Sequence, residues 1–227
     1  KLWPNIERAL SWIDNYGDID KDGFVEYKTK SSKGLTNQGW KDSYDSVFYE
    51  EGGLAEEPIA LCEVQGYVYD AKVSAARIAE VLGFADRAEK LYDEARVLKE
   101  KFNALFWSPS KQIYVLALDG KKKQCDVISS NAGHCLFSGI ATPDRARLTA
   151  NNLLNENMFS GWGIRTIAVS EARYNPMSYH NGSIWPHDNA MIAYGFYRYN
   201  MMPEVLKVMK AIFETAIKSD NFRLPEL

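Results

Sequence analysis

The sequence predicts an all-α fold carrying one small β-hairpin. Two long runs with apolar side chains at helical spacing meet at a glycine, and prolines stand where helices would open. One short stretch switches to a strand-like pattern around an Asp-Gly turn.

Taken in order, Trp3 to Tyr16 forms the first helix. Ile6, Leu10 and Ile13 share a face, Pro4 suits a first turn and Gly17 a stop. Pro58 opens the next pattern, which runs from Ile59 to Leu82 and ends at Gly83. Ala85 to Phe106 repeats it with Leu91, Ala95, Leu98 and Phe102 on one stripe, so the two make a helical hairpin. The period then changes. Gln112 to Leu118 and the run after Gln124 bracket Asp119-Gly120, which has the chemistry of a two-residue hairpin turn. Helices resume at Asn131–Phe137, and Thr142-Pro143 reads as a cap plus first-turn proline for a helix to about Asn155. Another starts at Ser183 or Ile184 and reaches Asn200, and Pro203 opens the last, to about Lys218. That makes about seven helices. The connections at 17–57 and 156–182 are long, and rich in Gly, Trp and Tyr rather than in the residues of disorder. They read as functional loops.

A chain of 227 residues, 46% of them hydrophobic, can bury a sizeable core in one domain spanning 1–227. A net charge of −3 gives no excess of Lys and Arg to neutralise phosphates, so nucleic acid is not an expected partner, nor is an anionic membrane surface. No apolar run reaches the length of a membrane span. Cys62, Cys125 and Cys135 are odd in number and lack paired spacing, which fits reduced thiols and a cytoplasmic location. Aromatic residues make up 13% of the chain, including six Trp. That surplus suits either thick helix packing or a cleft whose ring faces cover the C–H faces of a sugar.

Several segments carry groups capable of chemistry. In Gly34–Asp45, Asp42 follows Trp40 and Lys41 among amides. A general acid needs burial or nearby negative charge to hold its proton. Trp40 would supply the apolar wall and Lys41 would oppose the shift if it lay close, and from spacing alone a helix-capping role for Asp42 or Asp45 is the simpler reading. Tyr179–Asn189 holds two of the three histidines, with His180, Asn181, Trp185, His187 and Asp188 forming a lattice of donors and acceptors for hydroxyls. Helix capping plus core aromatics is the structural alternative, and the His spacing is not that of a zinc site, so no metal is expected there. In Ser160–Thr166 two glycines flank Trp162, and Arg165 follows; a sugar-binding loop and a plain turn explain this about equally. Glu63 and Gln65 interrupt an apolar helix, and a sugar hydroxyl or a hydrogen bond to another helix would equally satisfy them. Glu226 near the chain's end says little by itself. Asp18, Asp20 and Asp22 open like a calcium loop, but Thr29 stands where the closing Glu would be, and an Asp/Gly-stabilised turn is the better account.

Together Asp20–Tyr27, Gly34–Asp45, Pro58–Tyr69, Ile128–Gly139, Met158–Ala168, Tyr174–Ala190 and Leu224–Leu227 resemble, in order, the amylo-alpha-1,6-glucosidase family, the glucosidase domain of glycogen debranching enzymes and their bacterial relatives. The resemblance implies an (alpha/alpha)6 toroid of the six-hairpin glycosidase type, incomplete in this chain. It implies a single catalytic domain over 1–227 that is the C-terminal part of the barrel, with upstream helices absent; the start at Lys1 is expected to reflect a fragment. It implies an inverting alpha-glucosidase acting on an oligo- or polysaccharide, with Asp42 as general acid, Glu226 as general base and no cofactor. Substrate contacts fall to Trp40, Lys41, Gln65, Trp162, Arg165, His180, Asn181, Trp185, His187 and Asp188. The alternatives are another glycosidase on the same toroid (mannosidase, trehalase or glycerate-glycoside hydrolase type), a phosphorylase, or a carbohydrate-binding toroid without catalysis.

Overall fold

In the computed structural model, which describes residues 1–227, seven α-helices dominate: α1 (Trp3–Trp12), α2 (Cys62–Val81), α3 (Ala85–Leu105), α4 (Asn131–Ser138), α5 (Pro143–Leu153), α6 (Pro186–Arg198) and α7 (Met202–Lys218). Pro4, Pro143, Pro186 and Pro203 occupy first-turn positions, where a missing N–H costs nothing. Gly83 and Gly139 follow α2 and α4 with φ of 80° and 79°, the left-handed turn that ends a helix at little cost only with glycine.

α2, α4 and α6 pack side by side as an inner row, while α3 backs α2 and α7 backs α6. α5 runs beside α4. This inner–outer alternation is the architecture of an alpha/alpha toroid. α4 is the most deeply set of the inner helices, with every residue except Phe137 buried. The inner row is drawn together by glycine: a Cβ on Gly195 of α6 would stand 2.7 Å from the Phe137 nitrogen, and one on Gly133 of α4 would stand 2.5 Å from Ile192. The main core then fills between the layers with Phe102, Phe106, Tyr114, Leu136, Ile192 and Phe196, all fully buried. Phe102 stacks on Phe106 at 4.7 Å and on Tyr114 at 5.1 Å.

Three local expectations need correction. The run Ile59–Leu61 does not begin a helix. Ile59 bridges Tyr27, and Ala60–Leu61 is strand β1, with both residues buried. A short apolar run buried throughout gives no period by which strand and helix can be told apart. Second, the β structure exceeds one hairpin. Trp107–Ser108 (β2) pairs with Ile113–Tyr114 (β3), and Ala117–Leu118 (β4) joins β1 to Gln124–Cys125 (β5) in an antiparallel sheet. Third, the turn between β4 and β5 is not the two-residue Asp-Gly type. Leu118 pairs with Gln124, and Asp119 organises the wider turn by accepting the N–H groups of Lys121 and Lys123, both at 2.8 Å. Asp119 also accepts from Tyr49 at 2.6 Å, a tertiary bond invisible to turn chemistry.

The flanks stay apolar. Leu206, Met209, Phe213 and Ile217 on α7 are each about half exposed or more, as are Trp12 and Tyr16 at the end of α1 and just beyond it. No helix is long and apolar enough to cross a membrane. All three cysteines are free and buried.

Candidate active site

The inner helices α2, α4 and α6 bring their polar side chains together in one place. From α4, His134 Nε2 meets Asp188 Oδ1 of α6 at 2.7 Å, and its Nδ1 pairs with the Tyr67 hydroxyl of α2. His134 and Asp188 are both essentially unexposed. Trp40 lies on this floor. It stacks on His134 at 5.8 Å and meets His180, Trp185 and His187 edge-to-face at 5.7, 5.9 and 5.0 Å. His180 in turn stacks on Trp185 at 5.2 Å. Segments far apart in sequence thus close into one aromatic cluster. Trp40 Nε1, Glu63 Oε1 and Asp188 Oδ2 are buried with no protein partner, which leaves donor and acceptor capacity at this floor for hydroxyl groups.

The loop that carries Asp42 is built from its own polar groups. Asn37 donates to the Ser43 carbonyl at 2.7 Å and accepts from the Tyr27 hydroxyl, and Ser46 donates to the Lys41 carbonyl. Asn181 anchors it from outside by donating to the Asp45 carbonyl at 3.1 Å. No helix follows this loop, so neither Asp42 nor Asp45 is a helix cap. Asp42 has half of its side chain open and lies 3.9 Å from His180 Nδ1. Lys41 turns the other way. It is buried, donates to the Thr166 carbonyl at 2.6 Å, and is held down to about 8 by burial against the pull of Asp188 and Glu63. Its ammonium thus hydrogen-bonds a backbone carbonyl rather than the Asp42 carboxylate.

Burial also keeps His180 neutral. Its Nδ1 accepts the Ser43 N–H and faces the Ser43 hydroxyl at 2.8 Å. Burial, reinforced by the nearby Lys41 charge, holds it down to about 4. The unfolded chain takes up this proton near pH 6.5, while the folded chain resists until about 4. Stability therefore falls as pH drops through that window, by up to about 3 kcal/mol. Thermal melts between pH 7.5 and 4 should show this loss, and His180→Asn should flatten that part of the profile; an unchanged slope would refute the assignment.

Glu226 is reached by the Tyr179 hydroxyl, which donates to its Oε1 at 2.8 Å. The phenol is held above its ordinary 10, first by that bond and further by the charges of Glu226 and Asp42. Tyr179 also packs edge-to-face on His180 and Trp185 at 4.6 and 4.8 Å. The other expected contacts are placed differently. Trp162 is exposed, with the Lys218 ammonium 4.2 Å over its ring, and Arg165 reaches the Glu156 carbonyl at 3.5 Å. Their loop is pinned to α6 by Asn189, which accepts from the Ile164 N–H at 2.7 Å and donates to its carbonyl at 3.0 Å. Gln65 is engaged within the chain: its amide clamps both backbone groups of Val25 at 2.8 Å and donates its second N–H to the Leu61 carbonyl at 3.0 Å. The acidic loop Asp18–Asp22 caps its own backbone N–H groups, and the Lys122 ammonium bridges Asp20 and Asp22 at 2.9 and 3.0 Å and also pairs with Glu26. Sequence reasoning singled out Glu63 beside Gln65 but missed His134 and Tyr67 as floor residues. Glu63 and His134 stand as polar breaks in apolar helices, and that was the available signal.

The sequence profile of the mannosylglycerate hydrolase MGH1-like glycoside hydrolase domain matches residues 1–223. The chain belongs to that family. The MGH1-like domain is thus a glycoside hydrolase domain. No curated protein sequence matches the chain. Among solved structures it is similar to the GH63 mannosylglycerate hydrolase from Thermus thermophilus in complex with glucose, with 19% identity over 73% of this chain and 39% of that one and a TM-score of 0.62. It is similar to the neutral trehalase of Saccharomyces cerevisiae, with 14% identity over 78% of this chain and 34% of that one and a TM-score of 0.63. It is also similar to the GH78 family rhamnosidase of a Bacillus species, with 14% identity over 99% of this chain, 20% of that one and a TM-score of 0.66. These identities establish the fold alone. The MGH1-like domain spans about two fifths of the length of the mannosylglycerate hydrolase it matches.

Proposed function

We propose that this chain carries the reacting groups of an inverting glycoside hydrolase that cleaves a small glycoside of the mannosylglycerate type. In this reading residues 1–227 are the C-terminal part of a catalytic toroid. Asp42 gives its proton to the glycosidic oxygen as the bond to the anomeric carbon breaks. Water attacks that carbon from the opposite face, and its proton passes to Glu226. Inversion asks for carboxyl groups roughly 6.5–9.5 Å apart, enough for the water to sit between. One observation carries the reading: Tyr179 bonds Glu226 and packs on His180, which lies 3.9 Å from Asp42, so both carboxylates attend one aromatic pair at the rim of the floor. His180 is held neutral beside Asp42 and adds no positive charge there. Trp40, Trp185, His187 and Asp188 supply the ring faces and acceptors for the sugar. The three free thiols support a cytoplasmic site of action.

The family match favours a glycerate glycoside, and the sequence motifs favour an α-1,6-glucoside, so the test carries both. The chain is incubated with mannosylglycerate, trehalose and isomaltose, and the first-formed anomer is followed by proton NMR. Release of β-mannose from the α-linked mannosylglycerate is expected. First-formed α-mannose, or a rate that depends on added phosphate, would refute inversion by water. Turnover of isomaltose alone would move the substrate to the debranching type.

A further inference from the structure

We infer that Tyr179 is the positioning residue for the proposed base: its hydroxyl fixes one oxygen of Glu226 and leaves the other to receive the proton of the attacking water. This rests on the assignment of Glu226 as base made above.

Glu226 lies on an extended segment with no helix and no buried side chain, and the bond from Tyr179 is the only hydrogen bond made by residues 223–227. Nothing else polar within the chain orients this carboxylate. Tyr179, although half exposed, is itself rigidly held. Its carbonyl accepts from the Ser183 hydroxyl at 2.7 Å and from the Trp185 indole at 2.9 Å. Its ring is wedged against His180 and Trp185. His180 is in turn tied to Ser43, the neighbour of Asp42. One short run of contacts therefore fixes the base relative to the loop of the acid: Glu226 to Tyr179, Tyr179 to His180, His180 to Ser43. Positioning of this kind matters because a reacting group displaced by about 1 Å can lose about a hundredfold in rate. In the step itself the water oxygen bonds the anomeric carbon, and the glycosidic electron pair leaves with the aglycone oxygen, which takes the Asp42 proton. The water proton goes to the Glu226 oxygen that Tyr179 does not hold.

The test is a double-mutant cycle on mannosylglycerate with the full chain. Tyr179→Phe should lower kcat by about ten- to a hundredfold with KM within about twofold, and in the Glu226→Gln background it should add less than about twofold. An equal loss in both backgrounds overturns the inference while leaving Glu226 as base. Parent-like turnover of Glu226→Gln, or no turnover by the parent chain, removes the base assignment and the inference with it. A readout independent of turnover is the titration of the Tyr179 phenol, followed by carbon NMR. Its midpoint should fall toward 10 in Glu226→Gln, since the anion that raises it is gone. An unmoved midpoint overturns the contact.

Discussion

Asp42→Asn is expected to cut turnover of mannosylglycerate by about 10²- to 10⁴-fold, the usual worth of a positioned general acid. The fold should survive. Asp42 is half open, and the nearest basic group is a neutral histidine 3.9 Å away, too far for a hydrogen bond. Its removal therefore strands no buried partner, and surface changes of this kind usually stay within about 0.5 kcal/mol. The control is mannosyl fluoride, whose leaving group needs no proton. The variant should turn it over far closer to the parent rate. Near-parent turnover of mannosylglycerate would remove Asp42 from the mechanism, whereas equal loss on both substrates would mean that Asp42 binds sugar rather than donating a proton.

Gly195→Ala should destabilise the chain by about 3 kcal/mol, the upper part of the range for overpacking a tight core. The added methyl would lie 2.7 Å from the Phe137 nitrogen, 2.9 Å from Leu136 Cβ and 3.1 Å from the Gly133 carbonyl oxygen. Two of those atoms are backbone in the most buried helix of the fold, so they have no rotamer by which to retreat. The cost must appear as separation of α4 and α6. For a chain of this size the melting temperature should fall by about 6–12 °C. Activity should fall further than stability, because the same two helices carry His134 and Asp188 at 2.7 Å. Gly53→Ala is the matched control: its Cβ would meet only Tyr49 at 3.7 Å, an ordinary contact, and its melting temperature should stay near the parent's. A Gly195→Ala melt equal to that control would show that the inner row has slack that its geometry denies.

Much of this arrangement was legible in the residues. Helix starts at Pro4, Pro143 and Pro203 and the stop at Gly83 follow from what one residue does to its own backbone, and local rules reach that far. The Trp40–Asp42 and His180–Asp188 segments stand out because several chemically loaded residues crowd into loops that an ordinary turn would not need. Gln65 shows the opposite case. A buried amide in an apolar helix announces that it has partners, but not whether they are sugar hydroxyls or the backbone of Val25. Lys41 is similar: its position beside Asp42 in sequence suggests a mutual charge effect, and its ammonium instead crosses to Thr166. Ile59–Leu61 failed as a helix start because its partner strand, Ala117–Leu118, lies far along the chain.

The helical class, the helix ends and the two loops that hold the candidate chemistry can be read from the order of residues alone, because side-chain period, caps and composition act within a few positions. Which of those residues meet is settled by packing. Trp40 stacks on His134, Asp188 is claimed by His134, Tyr179 reaches Glu226, and His180 is kept neutral next to Asp42. Each of these depends on a distance between remote segments or on the water that burial removes, and neither quantity is written in the order of the residues.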